Sequence, residues 1–460
     1  MTALAALTRD FSGEVHEPLA LEGARLEATL RPRGAAECAR LLAALTQEKI
    51  PALIVGGATQ LAVANAPCAA RVRIETNALR DTPEIDLDEG VVRFGGGATL
   101  AEISAQLESS IWQLPLDPPG SGATLGGTLA SAAFGPRFGH PRDFVLGLTL
   151  ALTSGDVAKC GGRVVKNVTG YDLNKLFVGS SGALGVITAA WLRLRPRPER
   201  TDVLLAPAPQ DAPLALGAAR ASTARACALL DGALAPELSA QLGGARALVL
   251  ELAGDAAAVD ADRAAWAAKL GAIDAPADAI DRVRAAQGGG TVRFRIAAQA
   301  SDSATMRDAL CAAGASTLVY PARGLVYARF AAGDARAFGA QLAAVREAAK
   351  RVNGAWRLEA APLALRAGRE VLGDPDATIA LQRALKRAYD PANVLNPGRE
   401  FASAARSEAK PSEVQRASAA RSEGKPSEVQ RGSAARSEAK PSEDRTAASE
   451  GADVARSGNR

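Results

Sequence analysis

The places where this chain could do chemistry are clusters of small residues, and what they offer is backbone rather than side chains. The first is Gly56-Gly57-Ala58-Thr59-Gln60, directly after an apolar run. Successive N–H groups in such a turn form a concave anion site, and the missing side chains let a pyrophosphate approach. The same residues also serve an ordinary tight turn. The second cluster starts at Asp117 and runs through Pro119, Gly120, Ser121, Gly122, Ala123, Thr124, Gly126 and Gly127. It continues to Gly135, Arg137, Gly139, Arg142 and Asp143. Small residues here leave room for a flat ring system, and Arg137 and Arg142 are candidates to meet phosphate or an anionic ring. A flexible surface loop has the same composition, but about 25 residues without obvious structure are seldom idle in a compact domain. The third cluster is Lys166-Asn167-Val168-Thr169-Gly170-Tyr171, followed by Gly179, Gly182 and Gly185. Glycines ahead of Val186 and Ile187 would let a strand's backbone lie against an adenine or ribose. A fourth, Gly95-Gly96-Gly97-Ala98-Thr99-Leu100, fails the G-x-G-x-x-G fingerprint because position 100 is leucine, and reads as a structural strand-to-helix turn.

The elements that must position these clusters alternate between short strands and helices. Ala35 to Lys49 has the spacing of an amphipathic helix, and Ala52 to Val55 that of a buried strand. Val91 to Phe94 is a strand, and Thr99 to Leu107 a helix with a plausible cap. Val145 to Thr153 and Val186 to Leu194 are further strands. Arg195-Pro196-Arg197-Pro198 is a break, so residues 1–197 are expected to form one domain. Residues 198–388 then form a second, Ala-rich domain. Its strand candidates are Ala247 to Leu252, Val292 to Ala297, Thr317 to Tyr320 and Leu325 to Phe330. Its helix candidates are Ala256 to Leu270, Ser303 to Ala313, Ala335 to Val352 and Thr378 to Tyr389. That order predicts an α+β, ferredoxin-like cap: an antiparallel sheet covered on one face by helices. From Ser403 onward a unit of the form SAARSEAKPSEVQRA repeats, with almost no apolar content beyond alanine. Such a segment, residues 403–460, is expected to be a disordered tail.

Composition closes off several classes. Lys and Arg number 54 against 50 Asp and Glu, a net charge of +4. That balance is too even for a nucleic-acid partner. The 5 cysteines, Cys38, Cys68, Cys160, Cys227 and Cys311, include no C-x-x-C pair. They argue against a disulfide framework, a zinc site or an iron–sulfur site, and read as core residues of a reducing compartment. Met1 to Asp10 lacks the pattern of a secretory signal. The longest strongly apolar run, Phe144 to Thr153, is well short of the roughly 18–20 residues that span a bilayer. The expectation is a cytoplasmic chain that meets a membrane only through partners.

Taken together, GGATQ after a strand, ATLGGTLAS and VGSSGALGVIT resemble the FAD-binding domain shared by vanillyl-alcohol oxidase and p-cresol methylhydroxylase. The resemblance covers most of residues 30–195. Within that superfamily, FGPRFGHPRDFVLG, GGRVVKNVTGYDLNKLFVGSSGALGVIT and YDPANVLNPGR are similar to the FAD-binding subunit of glycolate oxidase (glycolate dehydrogenase). The resemblance implies a two-subdomain flavin domain, a cap, and a return of the chain to the flavin domain over residues 389–402. It implies that Gly56, Gly57, Ala58, Thr59 and Gln60 hold the pyrophosphate. Pro119, Ser121, Gly122, Ala123, Thr124, Gly126 and Gly127 would line pyrophosphate and ring. Gly182, Gly185, Val186 and Ile187 would meet the adenosine end, and Asn396 would lie near the ring. Many members tether FAD through a histidine. Here the usual turn carries Thr59 and Gln60, and only His16 and His140 exist, so the FAD is expected to be non-covalent.

Related 2-hydroxy-acid dehydrogenases place a cluster of His and Glu in their second half. This chain has no histidine after residue 140. Tyr171, Lys166 and Arg142 remain as proton donors or anion contacts, although a packed tyrosine and solvated charges read more simply. No metal site is expected, and the catalytic residues are not assigned. The resemblance thus implies an FAD-binding subunit of a heteromeric glycolate oxidase, working with a catalytic flavin subunit and an iron–sulfur subunit. The competing readings are a self-sufficient flavin oxidase or dehydrogenase of another small alcohol or hydroxy acid, and a binding subunit that has lost its flavin.

Overall fold

Helix α1 (Ala35–Gln47) buries Cys38, Ala39, Leu41, Leu42 and Leu45, a three-to-four spacing that turns one apolar stripe toward a sheet. The computed structural model describes residues 3–399 apart from 17–18, 22–23, 68, 165–170, 211, 367–368 and 374–375. Lys166, Cys68 and the repeat tail lie outside the described residues. The sheet under α1 comprises β1 (Glu14–His16), β2 (Ala28–Arg31), β3 (Ala52–Val55) and β4 (Val72–Glu75), in the order β1-β2-β4-β3. Strands β2, β4 and β3 pair in parallel. Both faces of parallel strands are covered here, which is why Ala52–Val55 reads as a continuous apolar run.

A second sheet holds β5 (Glu84–Asp86), β6 (Val91–Gly95), β7 (Val145–Ala151), β8 (Val157–Gly161) and β9 (Val186–Arg193), in the antiparallel order β8-β7-β9-β6-β5. Helices α2 (Leu100–Gln106) and α3 (Leu125–Ser131) pack on it through Ile103, Leu125 and Leu129. Thr99 and Glu102 form a capping box at the start of α2. Arg195–Pro196, read from sequence only as a break, also forms a short ladder with Trp112–Gln113.

The remainder is built on one eight-stranded antiparallel sheet. Strand β10 (Arg200–Pro207), helix α4 (Ala212–Ala219), strands β11 (Ala224–Leu230) and β12 (Ala247–Gly254), helix α5 (Ala256–Leu270) and strand β13 (Ile273–Asp274) make a first βαββαβ unit. After helix α6 (Ala279–Gly288), strand β14 (Val292–Ala297), helix α7 (Ser303–Ala312), strands β15 (Ser316–Tyr320) and β16 (Leu325–Phe330), helix α8 (Ala335–Arg351) and strand β17 (Ala355–Ala360) repeat the pattern. The sheet order, β13-β10-β12-β11-β15-β16-β14-β17, is the ferredoxin-like order in each half, and β11 and β15 join the halves.

The expectation that helices cover one face of this sheet needs correction. Val259, Met306, Leu310, Phe338 and Val345, from α5, α7 and α8, pack on Leu248, Leu250 and Leu252. The alternate residues Leu230 and Val249 face a second core with Ile280 and Val283 of α6 and Phe134 of the first half. Helix α6 is only a few turns long and carries Asp281, Arg282 and Arg284 beside those apolar residues, so its periodicity is weak in sequence. Strands β10, β11 and β17 also went unread, because alanine and arginine dilute the alternation that marks a strand. A last helix, α9 (Asp376–Tyr389), precedes a segment that runs back to β3: Leu395 bridges Ala52, and the Ala52 N–H donates to the Val394 carbonyl at 2.7 Å.

An ion cluster ties the second glycine cluster to the large sheet. Glu251 on β12 is 0% exposed and meets Arg137 at 2.9 Å and also Arg225. Breaking such a buried pair from one side leaves two guanidinium groups without their shared carboxylate. Glu251→Ala is therefore expected to lower unfolding free energy by about 3–5 kcal/mol, measured as a drop in the denaturant midpoint, far more than removal of a surface pair.

Candidate functional site

Strand β3 delivers the chain into the turn Gly56–Gln60, and this turn lines a narrow cleft. Among the described residues, the N–H groups of Gly57, Ala58, Thr59 and Gln60 donate to no protein acceptor. Ala58 has a φ of 60°, the left-handed backbone that curls successive N–H groups into an anion nest. A Cβ on Gly57 would run into the carbonyl oxygen of Gly122, so the first two clusters pack backbone against backbone. The second cluster is laced in turn to the fourth. Leu125 N–H donates to Ala98 O and Gly126 N–H to Gly96 O, each at 2.8 Å. The glycine turn that fails the dinucleotide fingerprint thus supports the one that lines the cleft. Thr124 caps α3 by accepting the Gly127 N–H at 3.3 Å.

The third cluster closes the other side. Gly182, Gly185, Val186 and Ile187 line the same cleft as Thr124, Gly126 and Gly127. Asn396 binds both walls: its Oδ1 accepts the Ile54 N–H at 2.8 Å and its Nδ2 donates to Ser181 O at 2.7 Å. A Cβ on Gly182 would come within 2.9 Å of that Nδ2. The segment after the first turn is held by buried arginines. Arg399 donates to Val63 O at 2.8 Å and Arg366 to Ala64 O at 2.6 Å. Among the described residues, the cleft's charged lining is Arg357 and Arg399, with no carboxylate.

A wider cavity of about 620 Å³ adjoins this cleft and shares Thr59, Gln60, Ser131 and Arg357 with it. Pro119 and Ser121 line it. Its far wall is the large sheet, through Arg293, Arg295, Tyr327, Arg357 and Glu359, with Arg284 and Gln287 from α6. Sequence reading missed all of these. The one available signal was alternation: Arg293 and Arg295, like Arg357 and Glu359, stand two apart on strands and therefore on one face. Burial holds Tyr327 in its neutral phenol form by raising its pKa, and Gln287 donates to its hydroxyl at 3.0 Å.

Other expected residues stand elsewhere. Arg137 was expected to meet phosphate or ring, but it is committed to Glu251 and lines neither cavity. Arg142 is exposed and also off both linings. Gly122 and Ala123 back the first turn without lining the cleft. Tyr171 is 96% exposed. His140 lines neither cavity; its Nδ1 accepts the Arg142 N–H at 3.3 Å and its ring lies 5.9 Å from that of Phe134. Among the described residues no three His, Cys, Asp or Glu side chains group as metal ligands. No helix there is long and apolar enough to cross a membrane.

Residues 26–161 match the family model described as FAD binding domain. The glycolate oxidase subunit GlcD of Bacillus subtilis is 32% identical over 184 residues, 39% of this chain and 39% of that protein. GlcE of Escherichia coli is 38% identical over 156 residues, 33% of this chain and 44% of that protein. A D-lactate dehydrogenase of Archaeoglobus fulgidus is 33% identical over 183 residues, 39% and 41% of the two chains. The chain thus matches about two fifths of the length of these relatives. Among solved structures, p-cresol methylhydroxylase with substrate bound superposes with a TM-score of 0.64 over 86% of this chain and 92% of that one, at 15% identity. Residues 26–161 are therefore an FAD-binding domain, with FAD as the cofactor, and the chain has the fold of p-cresol methylhydroxylase. In sequence it is similar to glycolate oxidase subunits over part of their length. The cleft fits the group: four N–H groups without acceptors, arginine lining and side-chain-free walls suit a pyrophosphate.

Two outcomes follow. Asn396→Ala leaves the Ile54 N–H and Ser181 carbonyl without partners, a cost of about 1–3 kcal/mol. The variant is expected to release FAD faster, measured as recovery of free-flavin fluorescence on dilution. Burial, reinforced by Arg142, pulls the pKa of His140 down to about 4 from 6.5. A group depressed on folding contributes stability that is complete above its unfolded value and lost as pH falls through the folded one. The denaturation midpoint should therefore decline from about pH 6.5 toward pH 4, and His140→Gln should flatten that decline.

Proposed function

We propose that this chain is the FAD-binding subunit of a heteromeric glycolate oxidase or dehydrogenase. The complex converts a 2-hydroxy acid of the glycolate type to the 2-oxo acid. The observation that carries this reading is the convergence of three separate glycine clusters and Asn396 on one cleft. Gly56 to Gln60 would hold the pyrophosphate, while Gly182, Gly185, Val186 and Ile187 would meet the adenosine end. Pro119, Ser121, Thr124, Gly126 and Gly127 would border the route from pyrophosphate to ring. FAD, when bound, supplies the two-electron acceptor for the C–H bond of the substrate.

The chain's own residues then orient and shelter. Residues 198–388 act as a cap whose sheet walls the ring-side cavity and keeps water from it, and residues 1–197 with 389–402 hold the cofactor. The sequence offers no cysteine motif for an iron–sulfur cluster. Electrons therefore pass to another chain, and the partners that fit are a second flavin subunit and an iron–sulfur subunit. Cytoplasmic residence, with membrane contact through those partners, suits this arrangement. A self-sufficient flavin oxidase or dehydrogenase is the second reading, favoured by the polar cavity next to the cleft.

The purified chain is expected to be yellow, with about one FAD per chain that acid denaturation releases entirely into solution. Glycolate should bleach the flavin band slowly in the lone chain and quickly once partners are restored. Rapid bleaching without partners establishes the second reading instead, and a colourless chain that cannot be reconstituted sinks both.

A further inference from the structure

The third glycine cluster is gripped from behind by an ammonium group that does not line the cleft. Lys386 stands in the last turn of α9, with its side chain only 13% exposed. Its Nζ donates to the Ala183 carbonyl at 3.0 Å, to the Leu395 carbonyl at 2.7 Å and to the Asp390 carboxylate. Three acceptors use all three of its donors. Asp390 is 1% exposed and accepts in turn from the N–H groups of Val394 and Leu395, at 3.0 and 2.7 Å. Asn396 takes the neighbouring Ser181 carbonyl. The return segment and the end of α9 thus draw two carbonyls of the cluster, those of Ser181 and Ala183, to their own side.

In a trans peptide the carbonyl of one residue and the N–H of the next point in opposite directions. Holding the Ser181 and Ala183 carbonyls therefore aims the Gly182 and Leu184 N–H groups the other way. Ser181 and Gly182 both have left-handed backbone, with φ of 53° and 70°, which brings successive N–H groups toward one side. Among the described residues, the N–H groups of Gly182, Leu184 and Gly185 donate to no protein acceptor, and all three residues are buried. Folded chains rarely leave buried amides so. Gly182 and Gly185 line the cleft, so the acceptors that suit them belong to a bound molecule. The first turn, Gly56 to Gln60, is braced separately by Gly122, Arg366 and Arg399 and takes no bond from Lys386.

We propose that Lys386 is a positioning residue for the adenosine half of the cofactor. By holding the Ala183 and Leu395 carbonyls it directs the N–H groups of the third cluster at that half, and so sets a preference for the dinucleotide over a flavin mononucleotide. This role rests on the FAD reading of the cleft; the clamp on the third cluster does not.

FAD divides into FMN and AMP, so its halves can be titrated separately on the full chain stripped of flavin, by flavin fluorescence and calorimetry. Lys386→Met is expected to weaken FAD and AMP by roughly 10–100-fold while FMN stays within about twofold of the parent. Lys386→Arg keeps the charge and should recover part of the loss. Lys386→Gln keeps two donors and replaces the methionine variant if that one does not fold; a smaller split in the same direction is expected. Equal weakening of FMN and FAD marks a role in stability alone and overturns the proposal, as does parent-like binding of FAD and AMP in the variants. Both results leave the flavin reading standing, because the parent still takes up FAD. A parent that binds neither FAD nor FMN sinks the flavin reading. AMP binding that Lys386→Met weakens then still supports the positioning role, and a parent that binds no AMP either overturns that role as well.

Discussion

Four successive backbone N–H groups, from Gly57 to Gln60, stay without protein acceptors among the described residues in the wall of a cleft, and much of the structure is arranged to keep them so. Gly57 and Ala58 are exposed and Thr59 and Gln60 half-buried, so these donors stand open to the cleft. Here the turn is braced from three directions. Strand β3 enters it from a parallel sheet, Gly122 backs it, and Arg399 and Arg366 grip the carbonyls that follow it. The donors are thereby presented to an anion instead of collapsing onto the chain itself.

The same logic extends to the large sheet, which does more than roof the site. Its α6 face carries Arg293, Arg295, Arg357 and Glu359 into the wider cavity, while the opposite face is an ordinary aliphatic and aromatic core. Arg137 and Glu251 pin the second cluster to this sheet, and Arg323 reinforces the contact by donating to the Gly135 and Pro136 carbonyls at 2.6 and 2.9 Å. Charge thus has two roles here. Paired, it fastens the halves together; along the cavity wall, it sets arginines and carboxylates side by side.

Several elements of the flavin half were legible because their signals are local, whereas β1, β2, β4, β5, β8 and the short helix α3 were not read. Helix α1 shows its stripe, Ala52–Val55 is an unbroken apolar run, and Thr99 announces a cap. The glycine clusters were legible as well, since backbone approach requires glycine whatever the surroundings. The arginine wall was not. Arg293 and Arg357 lie far apart in sequence, and their alternation with Arg295 and Glu359 marks a strand face without telling a cavity from solvent. Arg137 misled for the matching reason: a charge beside a glycine loop invites a phosphate, and only the position of Glu251 shows that it is already taken.

By itself, the order of residues determined the flavin-binding character of the first half and the ferredoxin-like character of the second, because φ freedom, side-chain absence and apolar period are properties of neighbouring residues. Which clusters share a cleft, which arginines meet a carboxylate of the chain and which meet a cavity were decided only in three dimensions. Electrostatic partnership depends on distance through space, and the return of Asn396 to Ile54 and Ser181 closes a gap that no local pattern encodes.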